Sequence, residues 1–157
     1  MNREQILNLS GFDNEHILFG ILFTFGNLLQ AAGDSFYEEI TSKQFFLLIC
    51  LSLFKDNPPT LNELAQVMQS SHQNVKQLAA KLEKNGFVTL MQDQKDRRKM
   101  RIMPAEKLAE LSSKYRDSED VFMRTLYDGL TAQEIAEALN VMLKMEQNLL
   151  SIREESE

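Results

Sequence analysis

Apolar residues recur along most of this chain at helical spacing. Ile17, Leu18, Ile21, Leu22, Phe25, Leu28 and Leu29 mark a first long helix over about Asn14–Gln30. Thr41-Ser42-Lys43-Gln44 is a Thr-x-x-Gln capping box, which opens an apolar helix at Phe45–Phe54. Asp56-Asn57-Pro58-Pro59 stops it, because successive prolines remove donors and push the chain out of helical geometry. Thr60-Leu61-Asn62-Glu63 is a second capping box, and Leu61, Leu64, Ala65 and Met68 then share one face. Gln69-Ser70-Ser71 breaks this short helix; either Ser70, with Gln73, or Ser71 caps the next one. That helix repeats the buried spacing at Val75, Leu78, Ala79 and Leu82 and ends at Asn85-Gly86, where glycine accepts a left-handed backbone. Two short helices with such a break predict a helix-turn-helix.

The period then changes. Phe87–Met91 and Met100–Met103 read as strands, with a polar, increasingly basic loop Gln92–Lys99 between them. A hairpin with a charged tip directly after a helix-turn-helix describes a wing. Pro104 suits the first turn of the following helix, in which Leu108, Leu111, Tyr115, Phe122 and Leu126 recur. Asp128-Gly129 makes a turn and Thr131-Ala132-Gln133-Glu134 a further capping box. The last helix carries Ile135, Leu139, Met142, Met145, Leu149 and Ile152. The expected fold class is mostly α with a small β-hairpin wing.

Composition narrows the function classes. A chain of 157 residues, 43% hydrophobic and 25% charged, fits one globular domain with a real core. The single cysteine, Cys50, cannot form an internal disulfide, which fits a reducing, cytoplasmic setting. Met1-Asn2-Arg3-Glu4 is not followed by an apolar signal core. The longest apolar runs, Ile17–Phe25 and Phe45–Leu51, fall short of the roughly 20 residues a membrane helix needs, so no membrane partner is expected. The net charge of −6 argues at first against nucleic acid, but its distribution does not. From Ser70 to Arg101, eight basic residues face three acidic ones, a net +5, and the remainder carries −11. Phosphate binding depends on such a local basic surface.

The residue types in that segment suit double-stranded DNA. A recognition helix must fit the major groove and present polar side chains to base edges and phosphates. Ser70, Ser71, His72, Gln73, Asn74, Lys76, Gln77 and Lys81 supply such groups. Asn and Gln can pair bidentately with adenine, and Ser and Lys can hold phosphates. In the wing, Lys95, Asp96, Arg97, Arg98 and Lys99 are the candidates, with Arg98 for a minor groove and Arg97 for phosphate. Asp96 beside DNA makes sense if it pairs with an arginine and holds its fork in place.

Leu61-x-x-Leu64-Ala65, Val75-x-x-Leu78, Leu82-Glu83-Lys84-Asn85-Gly86-Phe87-Val88 and Asp96-Arg97-Arg98 resemble the DNA-binding core of the multiple antibiotic resistance regulator (MarR) family. The resemblance runs from about Thr60 to Met103, and Asp96 and Arg98 match that family's Asp-x-Arg wing element. Three positions depart from the pattern: Gln69 stands for a common glycine, Pro104-Ala105 for Leu-Thr, and Gln77 for a common arginine. The resemblance implies a winged helix-turn-helix lobe at residues 41–103, within a single domain over 1–157. Helices in 1–40 and 104–157 would form a homodimer, so that two recognition helices read a palindromic operator. It also implies a transcriptional regulator, commonly a repressor, released by a small aromatic or amphipathic ligand.

Sensor and catalytic chemistry are thinly represented. Phe12, Phe19, Phe23, Phe25, Phe36, Phe45, Phe46 and Phe54 are candidates for a ligand pocket, but an aromatic stripe more often forms core or interface. Cys50 sits inside an apolar run and reads as buried filler rather than a redox sensor. His16 and His72 lack partners at ligand spacing, so no metal or other cofactor is expected. No phosphate loop or nucleophile elbow points to an enzyme. The rival reading is a winged-helix module that binds protein instead of DNA.

Overall fold

Asp13 starts the first helix by accepting the His16 backbone N–H on its side chain at 2.9 Å. The computed structural model describes residues 11–55 and 57–155; expectations placed on residues 1–10, Asp56 and 156–157 lie outside the described residues. Among the described residues are six helices and one hairpin. They fall into two compact units, the first ending at Glu110 and the second beginning at Leu111.

The first unit contains α1 (Asn14–Phe36), α2 (Ser42–Ser52), α3 (Leu61–Val67), α4 (His72–Lys84), β1 (Val88–Gln92) and β2 (Met100–Pro104). Its core is built from Leu47, Leu61, Leu64, Val75, Ala79, Leu82, Phe87 and Ile102, all buried. The spacing of the apolar residues in α3 and α4 therefore predicts their inner faces correctly. Thr41 and Thr60 both close full capping boxes, with Gln44 and Glu63 respectively.

Helix α1 runs six residues past its expected end at Gln30, to Phe36. Ala31 and Ala32 favour helix, and the last turn has a docking role that overrides the glycine and aspartate in it. A Cβ on Gly33 would come within 2.6 Å of the Ser42 Cβ, so only glycine lets α1 approach α2 this closely. Asp34 accepts both the Ser42 N–H at 2.8 Å and its hydroxyl at 2.7 Å. Tyr37 packs between Phe36 and Phe45, with ring centroids 4.7 and 4.8 Å away. At 23 residues α1 is also long and apolar enough to cross a membrane by length and composition, contrary to the expectation from uninterrupted apolar runs. Polar residues interrupt the run without ending the helix; the Thr24 hydroxyl, for example, bonds to the Ile21 carbonyl at 3.0 Å.

The hairpin pairs Val88 with Pro104, Leu90 with Ile102 and Gln92 with Met100. Pro104 thus ends β2 and does not open the next helix, which starts at Lys107. The ladder explains why proline is tolerated there. Ala105 donates to the Phe87 carbonyl, whereas Ile102 donates away from β1, to Pro59. Alternation along the strand turns the Pro104 nitrogen away from β1, where no ladder donor is needed. The Ile102–Pro59 bond and a bridge between Thr60 and Arg101 add the segment before α3 to the sheet edge. The two prolines leave no strand signature there.

Helix α5 (Lys107–Leu126) crosses the boundary between the units, and α6 (Ala132–Glu154) lies in the second. Gly129 has φ 78° in the turn before α6, and Thr131 with Glu134 completes the expected capping box. Leu111 and Tyr115 are buried, whereas Leu139, Met142, Leu149 and Ile152 of α6 are exposed.

Gly33→Ala is expected to lower stability by about 1–3 kcal/mol, because the two helix backbones must move apart. Thermal unfolding followed by circular dichroism checks this, and an unchanged Tm would show that the α1–α2 contact is not tight.

Candidate nucleic-acid interface

Helix α4 turns Val75, Leu78, Ala79 and Leu82 inward. At 3.6 residues per turn the opposite ridge is Gln73, Gln77, Ala80 and Lys84, all exposed. His72 and Lys76 lie on one flank, Asn74 and Lys81 on the other. Of the two serines offered as caps, Ser71 takes the role, accepting the Asn74 N–H at 3.2 Å. Ser70 accepts from the Asn74 side-chain amide at 2.8 Å. The turn before α4 holds Gln69 at φ 47°, where the resemblance favours glycine. Bonds from Gln69 to the Gln66 carbonyl and from Ser70 to the Ala65 carbonyl close it as a Schellman turn. Holding a non-glycine residue there costs about 1 kcal/mol.

The end of α4 fixes where the hairpin leaves it. Gly86, at φ 81°, donates to the Glu83 carbonyl at 2.9 Å, and Phe87 donates to Leu82 at 2.9 Å. This is again a Schellman turn, with Phe87 and Leu82 both buried. The Lys107 ammonium bonds to the Asn85 carbonyl at 2.8 Å and lies over the Phe87 ring, placing positive charge at the helix C-terminus. Glu83 reaches from α4 to accept the Leu90 N–H at 2.8 Å, so the helix also holds β1.

Two carboxylates organise the wing. Asp93, its side chain only 7% exposed, accepts the N–H groups of Lys95 and Asp96 at 2.9 and 2.7 Å and pairs with the Arg101 guanidinium. The same guanidinium donates to the Pro58 carbonyl, tying the wing base to the segment before α3. These donors, the Asp96 N–H and the Arg101 side chain foremost, hold the Asp93 carboxyl down at about 2. At the tip, Asp96 accepts Arg98 Nε at 3.1 Å and Nη2 at 3.3 Å, the fork-holding pair expected from the sequence. Its pKa is lowered for the same reason, with the Arg98 side chain the largest cause. The Arg98 side chain remains 91% exposed.

The structure thus brings the candidate residues into two exposed groups on one lobe. Ser71 at the N-cap of α4 and His72, Gln73, Asn74, Lys76, Gln77 and Lys81 on the helix are exposed, as are Lys95, Arg97, Arg98 and Lys99 on the wing, with Ser70 and Asp96 half-buried. All three acidic residues within the basic segment, Glu83, Asp93 and Asp96, are engaged in internal bonds. Sequence reasoning missed the Asp93–Arg101 pair. Arg101 counted only as one more positive charge, and its inward direction depends on the strand register. Away from the lobe, Cys50 is 3% exposed and burial pushes its thiol up, against a reactive role. His16 bonds to Asp13, and no cluster of metal-ligating side chains occurs among the described residues.

Comparison with known proteins agrees with this geometry. The MarR family model matches residues 40–100. No curated protein matches the chain. Among solved structures, AbsC, a MarR family transcriptional regulator from Streptomyces coelicolor, is similar at TM-score 0.77 and 17% identity, over 89% of this chain and 97% of that one. A MarR protein from Peptoclostridium difficile gives TM-score 0.75 and 20% identity, over 90% and 91%. The MepR–DNA complex of S. aureus gives 0.72 and 21%, over 87% and 98%.

Asp93→Asn is expected to lower Tm at neutral pH. A depressed carboxylate contributes fully above its ordinary value of 3.8 and loses its contribution as pH falls towards 2. The Tm gap between wild type and variant should therefore narrow over that window. A constant gap would mean that the ionised form is not what stabilises the wing.

Proposed function

We propose, from the premise that this chain belongs to the MarR family through its lobe at residues 40–100, that it is a cytoplasmic, homodimeric transcriptional regulator binding double-stranded DNA. Members of that family are transcription factors rather than enzymes. The observation that carries the DNA reading is the pairing of a polar outer ridge on α4 with a wing tip whose cations face outward while its carboxylates are tied internally. Helix α4 enters the major groove, with Ser71, His72, Lys76 and Lys81 near phosphates. Arg98 reaches the minor groove and Lys95, Arg97 and Lys99 hold its walls. The S. aureus relative's structure is a DNA complex, which favours DNA over a protein partner for the same lobe.

The dimer reading rests on exposed apolar surface outside residues 41–103. Phe19, Phe23, Leu28 and Leu29 of α1 and Leu139, Met142, Leu149 and Ile152 of α6 are all exposed in a single chain. A second copy suits α1 better than a bilayer does, because His16, Gly20, Thr24 and Asn27 form a continuous non-apolar stripe along it. Two copies would set two recognition helices about one DNA turn apart, matching a palindromic operator. Repression, and release by a small aromatic or amphipathic ligand, follow the habit of the family. Among the solved relatives, PcaV from Streptomyces coelicolor is in complex with its natural ligand.

Binding to a promoter fragment should fall by orders of magnitude between about 50 and 200 mM salt. Absence of binding at low salt, or binding insensitive to salt, would refute the DNA reading. Arg98→Ala should weaken binding by about 1–3 kcal/mol per contact without loss of Tm. Light scattering should give twice the chain mass at micromolar concentration, and a monomer would remove the palindrome.

A further inference from the structure

The α4 surface places its amide side chains unequally. Asn74 lies on a flank and donates its side-chain amide to Ser70 at 2.8 Å, an internal bond that ties it to the turn before α4. Gln73 and Gln77 stand on the ridge directly opposite the buried face, exposed and without a side-chain hydrogen bond among the described residues. Ala80, next on the ridge, is small enough to let the helix sit deep. Lysines 76 and 81 flank that ridge on either side, where the phosphate walls of a groove would lie.

We propose that Gln73 and Gln77 are the base-reading residues of this chain, and that each reads adenine. This deepens the DNA-binding reading above and rests on it. A glutamine amide presents one acceptor and one donor side by side, which matches N6–H and N7 of adenine in the major groove. Guanine offers two acceptors there and leaves the amide oxygen unpaired, facing guanine O6. Four residues apart, the two side chains are separated by about 6 Å along the helix. With base steps of about 3.4 Å, they meet A·T pairs one to two steps apart in each half-site. The Ala80 methyl fits the thymine methyl that an A·T pair offers in the same groove.

The test is selection of bound duplexes from a random pool by the full chain and by Gln73→Ala, Gln77→Ala, Gln77→Arg and Asn74→Ala variants of unchanged Tm. Wild type should select A·T at two positions one to two steps apart in each half-site. Each Gln→Ala change should reduce discrimination roughly 5- to 100-fold at one of those positions only. Gln77→Arg should convert its position to G·C, since arginine pairs bidentately with guanine. Selection of G·C by the wild type overturns the proposal while leaving DNA binding intact. So does a consensus that changes with Asn74→Ala but not with Gln77→Ala. Failure of the wild type to retain any duplex at low salt overturns both the proposal and the reading it rests on.

Discussion

The guanidinium of Arg101 is the interaction on which the arrangement of the lobe turns. From the loop end of β2 it reaches Asp93 at the base of the wing loop and the Pro58 carbonyl ahead of α3. Asp93 in turn closes the loop by accepting two backbone N–H groups. One charged fork therefore sets both the shape of the wing and its attachment to the helix-turn-helix. A hydrophobic contact could bury comparable area at this place. It could not satisfy a buried carboxylate and a carbonyl in two defined directions.

The two Schellman turns complement this fork. They end α3 and α4 and leave short, defined connections, so α4 is held by hydrogen bonds at both ends as well as by its buried face. Glu83 then joins the end of α4 to β1, and Lys107, at the start of α5, bonds to the Asn85 carbonyl that closes α4. The ridge of α4 and the wing tip are consequently held in one rigid frame. Rigid placement matters for a duplex-binding surface, because the groove spacing is fixed by the DNA and not by the protein.

Most of the helical architecture was legible in the sequence. Capping boxes at Thr41, Thr60 and Thr131 mark helix starts because their side chains bond only to neighbours three residues away. The buried stripe of α4 and the left-handed glycine at its end are equally local signals. What failed did so for non-local reasons. Helix α1 extends to Phe36 because Gly33 and Asp34 find Ser42 on another helix. Pro104 joins a strand because the ladder turns its nitrogen outward.

The same division holds for the opening pattern of hydrophobic and polar positions. By itself it determined a helix-turn-helix followed by a basic hairpin, and it named the polar residues on the exposed side of α4, since both follow from periodicity and local hydrogen bonding. That Asn74 is tied to Ser70 while the Gln73 and Gln77 side chains are not was decided by side-chain geometry. So was the conversion of Arg101 from one more surface cation into the bond that holds the wing. Register and the direction of a side chain from a strand depend on partners distant in the chain, and spacing along the sequence carries no record of them.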